Sequence, residues 1–119
     1  MQFRLIYVRE AHAVDGPAPP REGDGPQIHD PKTMAERGHV AGECLAGLEL
    51  SAIPTLVDEL DDAVGRAYAA HPDRLYLLSA DGKVAWKCAK GPQGFDPDGM
   101  EAAIRKLLRL DEPPPTMPE

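Results

Sequence analysis

Apolar positions along this chain come in short blocks set between polar and proline- or glycine-rich stretches. Leu5, Ile6, Tyr7 and Val8 form an unbroken run, which predicts a short buried strand over Phe3–Val8. Ala13–His29 has no period and holds Pro17, Pro19, Pro20 and Pro26 among glycines, so it reads as a loop longer than the usual connection. Asp30-Pro31 has the form of an N-cap followed by proline at the first helical position. A helix is expected from there to about Leu48, with Val40, Ala41, Cys44, Leu45 and Leu48 as its apolar stripe.

Ile53–Val57 predicts a second strand, with Pro54 near its start, where proline is tolerated. Asp58–Ala70 predicts a helix with Leu60, Val64, Ala67 and Tyr68 on one face and acids in its first turn. Arg74–Ser79 and Lys83–Cys88 form two strands around Asp81-Gly82, a strong hairpin signal. The first has apolar residues on both faces and reads as interior. The second alternates with Lys87 and reads as an edge. Asp96-Pro97 opens a last helix with Met100, Ile104, Leu107 and Leu108 facing inward. The order is β-α-β-α-β-β-α. One domain is expected over residues 1–110, followed by a disordered proline-rich acidic tail, Asp111–Glu119.

The bulk numbers narrow the class. At 119 residues the chain suits one domain. A formal charge of −7 argues against wide contact with a phosphate backbone, so no nucleic-acid partner is expected. No apolar run approaches a membrane span, and because Met1 leads directly into the strand no signal peptide is expected. Two cysteines do not make a disulfide framework, which places the expected compartment in the reducing cytoplasm with both thiols free.

Candidate chemistry gathers just past the first strand. Glu10 and His12 follow its carboxyl end, where open α/β sheets place their ligands. Histidine titrates near neutral pH and serves as general acid or base; the competing role for His12 is a structural hydrogen bond. His29, before the first helix, either joins a proton relay or is simply exposed. Arg74 has the planar fork that grips a carboxylate or other anion, or else pairs with Asp73 or Glu10. Tyr7 is expected to be partly core, with its hydroxyl reaching the polar site. Cys44 reads as a packed small hydrophobe. Cys88, near Lys87 and Lys90, is the better candidate for a reactive thiol, although an inert edge-strand cysteine is the simpler reading. No ligand spacing supports a metal, and no cofactor is implied.

Several segments resemble the iodothyronine deiodinase family. They are Tyr7-Val8-Arg9-Glu10-Ala11-His12 with Asp15-Gly16, Ala35-Glu36-Arg37, Leu56-Val57-Asp58, Asp73-Arg74-Leu75-Tyr76, Gly82-Lys83-Val84 and Gly91-Pro92-Gln93-Gly94-Phe95. The resemblance runs in order from about Phe3 to Leu108. It implies an α/β, thioredoxin-like fold of the peroxiredoxin type and reductive removal of iodide by a selenocysteine or cysteine nucleophile. It further implies that Tyr7, Glu10, His12 and His29 form a proton relay and that Arg74 grips the substrate's polar ends with His12. In the family the nucleophile lies upstream of this strand, in a strand and helix that these residues do not include. Neither Cys44 nor Cys88 stands in its place. The expectation is therefore a deiodinase-like thiol oxidoreductase domain, acting on a small-molecule substrate or thiol reductant but inactive alone. The alternatives are a non-catalytic thioredoxin-fold binding or partner module and a peroxidase built on the similar peroxiredoxin layout. The truncated fold is expected to have a four-stranded mixed sheet flanked by three helices, in the order Ile53–Val57, Phe3–Val8, Arg74–Ser79, Lys83–Cys88. A homodimer or partner strand is the other way to fill the gap in the sheet.

Overall fold

The computed structural model describes residues 1–18, 20 and 28–109. The tail expected at Asp111–Glu119 lies outside them, as does most of the loop after Gly16. The chain divides into two compact units, Met1–Pro72 and Asp73–Glu119. Among the described residues, three helices and four short strands follow one another in the order read from the sequence. Among the described residues no helix is long and apolar enough to cross a membrane.

In the first unit, β1 (Leu5–Tyr7) pairs in parallel with β2 (Thr55–Val57), Ile6 opposite Leu56. The ladder extends at both ends, through Leu5 N–H to Pro54 O at 3.0 Å and Asp58 N–H to Tyr7 O at 2.9 Å. Leu5, Tyr7, Thr55 and Val57 are half-buried, while Ile6 and Leu56 are exposed. The run at Leu5–Val8 is thus covered on one face, not on both.

The helix α1 (Met34–Gly47) connects these strands and packs on β2. It starts later than Asp30-Pro31 implied. Thr33 is the cap, its hydroxyl accepting Glu36 N–H at 3.1 Å, while the Glu36 carboxylate reaches back to Lys32 N–H at 2.7 Å. This is a shifted capping box, which satisfies two amides that helix geometry leaves without partners. Asp30 instead donates its amide to Asp15 Oδ1 at 2.7 Å. Val14 N–H reaches Ile28 O at 2.8 Å, so the two ends of the long loop are tied together.

The second helix is much shorter than expected. α2 spans only Ala63–Ala67, not Asp58–Ala70. The reason is Asp58, which is 2% exposed. Its carboxylate accepts Glu59 N–H at 2.8 Å, Val64 N–H at 3.0 Å and Gly65 N–H at 2.8 Å. Those bonds hold residues 58–62 as a turn, closed by Asp62 N–H to Glu59 O. Asp62 takes the left-handed conformation, φ 59°, which aspartate tolerates better than most residues.

In the second unit, β3 (Tyr76–Leu78) and β4 (Val84–Lys87) form the expected antiparallel hairpin, with a bulge between Leu77 and Leu78. Gly82, at φ 82°, supplies the turn conformation that a side chain disfavours. Leu77 is buried but Leu78 is exposed, so β3 has one apolar face inside rather than two. α3 (Pro97–Leu107) packs on both strands. Asp96 caps it as the sequence indicated, accepting Gly99 N–H at 2.9 Å with Pro97 in the first turn. Met100 and Ile104 are half-buried; Leu107 and Leu108 stay largely exposed. The strands make two two-stranded sheets, and the expected four-stranded sheet is not confirmed.

Candidate functional site

The carboxyl end of β1 carries the clearest polar arrangement. Tyr7 is half-buried at the last position of the strand, and its hydroxyl donates to Glu10 Oε2. Residues three apart meet because the chain turns as soon as the strand ends. Burial holds the Tyr7 phenol well above its usual pKa, and the Glu10 hydrogen bond and charge push it further the same way. The charge of Arg37 acts against these. The half-buried phenol therefore keeps its proton and donates it in the hydrogen bond to Glu10.

His12 and His29 stand at the two feet of the long loop, close to the Val14–Ile28 bond. Both are exposed. His12 Nδ1 lies 3.0 Å from Ala18 O. A carbonyl only accepts, so that nitrogen carries the hydrogen and Nε2 is left to act elsewhere. His29 helps to line a cleft of about 580 Å³ along α1, with Pro31, Glu36, His39, Val40 and Glu43. It is also close enough to Asp15 to help hold that carboxyl below its usual range, after the larger effect of the Asp30 amide. Neither Tyr7 nor Glu10 lines this cleft.

Arg74 and Cys88 are joined to each other in the second unit. Arg74 Nε donates to Cys88 O at 2.7 Å, and its guanidinium lies 5.3 Å from the Tyr76 ring centroid, over its face. Cys88 is 7% exposed, and its sulfur accepts Leu75 N–H at 3.3 Å. That setting fits the inert edge-strand cysteine better than a reactive thiol. Among the described residues, no cluster of three or more His, Cys, Asp or Glu is arranged to hold a metal.

Sequence reasoning assigned no role to Arg37, which is 3% exposed. Its Nη1 donates to Glu59 O at 2.7 Å and Asp58 O at 3.2 Å, and both terminal nitrogens reach Asp62 Oδ1 at 3.2 Å. α1 is thereby bolted to the turn after β2. The signal for it was present: Arg37 lies one helical turn before Ala41, on the apolar stripe.

Within each unit, segments that carried the resemblance meet in pairs. Arg37 ends Ala35-Glu36-Arg37 and Asp58 ends Leu56-Val57-Asp58, and the two are hydrogen-bonded. Gly91 N–H donates to Asp73 O at 3.0 Å, joining two more. The sequence profile described as iodothyronine deiodinase matches residues 1–108. The chain belongs to the iodothyronine deiodinase family. It is 30% identical over 104 residues to a type I iodothyronine deiodinase of Xenopus laevis, a match covering 87% of this chain and 39% of that protein. It is 32% identical over 94 residues to a thyroxine 5-deiodinase of Sparus aurata, covering 78% of this chain and 33% of the relative. A thyroxine 5-deiodinase of Gallus gallus is 29% identical over 93 residues, with 78% and 34% covered. The chain therefore spans between a third and two fifths of the relatives it matches.

Proposed function

We propose that this chain carries the proton-handling part of a reductive dehalogenase acting on an iodinated aromatic substrate. In that reaction a thiolate or selenolate takes the iodine from carbon as a sulfenyl or selenenyl iodide. A proton replaces it on carbon. A second thiol then reduces the S–I or Se–I bond and releases iodide. Tyr7 is the proposed proton donor, with Glu10 as the carboxylate that orients its hydroxyl and His12 and His29 resupplying the proton from the loop.

The observation that carries this reading is the Tyr7–Glu10 hydrogen bond at the end of β1. A donor must hold its proton until substrate arrives, and a half-buried phenol whose pKa is raised does so. Neither described thiol is proposed as nucleophile. Cys88 is buried with its sulfur engaged, and Cys44 lies within α1. The nucleophile is proposed to come from outside the described residues.

The test adds that nucleophile as a reagent. The chain is mixed with an iodothyronine and a small-molecule selenol, and iodide release is followed. Wild type should accelerate release over reagent alone, and Tyr7→Phe should lose up to about 10²-fold of that acceleration. Equal rates for wild type and Tyr7→Phe would favour the binding-module reading instead. Release that needs no selenol and disappears in Cys44→Ser would place the nucleophile in this chain.

A further inference from the structure

A second, smaller cavity opens beside the end of β1, about 140 Å³ in volume and lined by Val8, Arg9, Asp62, Gly65, Arg66 and His71. It lies wholly within the first unit. Three of its six lining residues are nitrogen donors, two of them permanently cationic guanidinium groups. That is unusual in a chain of net charge −7.

The donors are available. Arg9 and His71 have no hydrogen-bond or ion-pair partner among the described residues. Arg66 faces Asp61 at 3.7 Å, with side chains 70% and 68% exposed, and so open a pair holds a guanidinium weakly. The only carboxylate on the wall, Asp62, is already held by both terminal nitrogens of Arg37 at 3.2 Å. Arg37 thus answers its charge. Gly65 is buried in the wall, packed so closely that a Cβ there would meet Asp58 Oδ2 at 3.3 Å and Val8 Cγ1 at 3.9 Å.

We propose that this cavity binds a small oxyanion, a carboxylate or phosphate group, gripped by Arg9 and Arg66 with His71 as a third donor. The planar fork of arginine matches two oxygens of such a group at once. The volume is well under the roughly 300–1,000 Å³ of sites for drug-sized ligands, which limits the occupant to a single such group. The site goes beyond the deiodinase-like reading and stands whether or not that reading holds.

The experiment is an NMR titration of the chain with inorganic phosphate and, separately, with acetate, both at fixed ionic strength. Saturable shifts confined to Arg9, Gly65, Arg66 and His71 are expected. Tighter binding of phosphate would identify a phosphate site, and tighter binding of acetate a carboxylate site. Arg9→Gln with Arg66→Gln should weaken binding at least about tenfold, equivalent to about 1.4 kcal/mol. Lys83→Gln, in the other unit, should leave it unchanged. Should the double variant lose its dispersed spectrum, Arg9→Gln alone gives the same reading, because that side chain is exposed. Shifts that never saturate, spread over the surface or persist in the arginine variants would overturn the proposal.

Discussion

Asp58→Asn isolates what a single buried carboxylate does for the first unit. Asn keeps the shape of Asp but turns one oxygen into a donor. In the best orientation its oxygen still accepts from Glu59 and Val64, and the new amino group then faces the Gly65 N–H, which the wild-type oxygen meets at 2.8 Å. One charge-assisted bond is lost, costing about 1.5–3 kcal/mol, and the other two weaken because the acceptor is no longer charged. The expected total is about 3 kcal/mol, a large share of the roughly 5–15 kcal/mol that holds a domain of this size. With a urea slope of about 1–3 kcal/mol/M, the midpoint should fall by about 1–3 M. Asp98→Asn, on the exposed first turn of α3, is the control and should not move it.

The same variant has a pH signature. Burial works to raise the Asp58 pKa, but the amides of Gly65, Val64 and Glu59 and the charge of Arg37 outweigh it, and the net direction is down. A carboxylate whose folded pKa is depressed stabilises the fold fully above its unfolded value, about 3.9, and loses that contribution as pH falls through the folded value. The gap between wild type and Asp58→Asn should therefore be constant near neutrality and narrow on acidification below about pH 4. Coincident urea midpoints at pH 7, or a gap that does not narrow in acid, would refute the reasoning.

Three further outcomes are expected. Gly94→Ala should destabilise by about 1–3 kcal/mol, since its Cβ would lie 2.6 Å from backbone atoms of Ala89 and Lys90. Gly42→Ala, inside α1 with nothing within 4 Å, should stabilise by about 0.5–1 kcal/mol, and thermal melts that rank the two alike would contradict this. Tyr7, its pKa raised, contributes stability that is complete below the unfolded value of about 10 and is lost as pH rises above it. Alkaline denaturation should therefore be shallower in Tyr7→Phe than in wild type, and identical alkaline profiles would show that the phenol is not held as described.

The order of elements, the Asp81-Gly82 turn and the Asp96-Pro97 cap were legible because each rests on local chemistry. The start of α1 was less so, because two cap signals compete. Asp30-Pro31 has the right residues, but Thr33 and Glu36 form the reciprocal pair that is used. The length of α2 was hidden because helix propensity says nothing about a carboxylate turned inward. Asp58 and Arg37 escaped for one shared reason. A period reading sends charges outward, whereas a charge with enough partners goes inside. Strand pairing depends on contacts far apart in sequence, and the four-stranded expectation rested on the fold's outline rather than on any local signal. Of the site residues, Tyr7 and Glu10 were within reach because three positions separate them. The burial of Cys88 was not, because alternation along β4 gives its face but not its depth.

Polar contacts, more than apolar ones, set the position of Tyr7. The buried apolar residues of the first unit are small, Ala13 and Ala41, while the buried polar ones are Arg37 and Asp58. Asp58 uses both ends of this arrangement. Its amide donates to Tyr7 O, closing the β1–β2 ladder, while its carboxylate gathers the turn that leads into α2. Arg37 reaches the same turn from α1. Dispersion contacts tolerate sliding, but hydrogen bonds fail over a few tenths of an ångström and some tens of degrees. A strand end fixed in this way presents the Tyr7 hydroxyl to Glu10 in one arrangement. The Arg37–Asp58 link therefore belongs to the positioning of the Tyr7–Glu10 pair as well as to the stability of the fold. A variant that loosens it should disturb the Tyr7 phenol before it unfolds the chain.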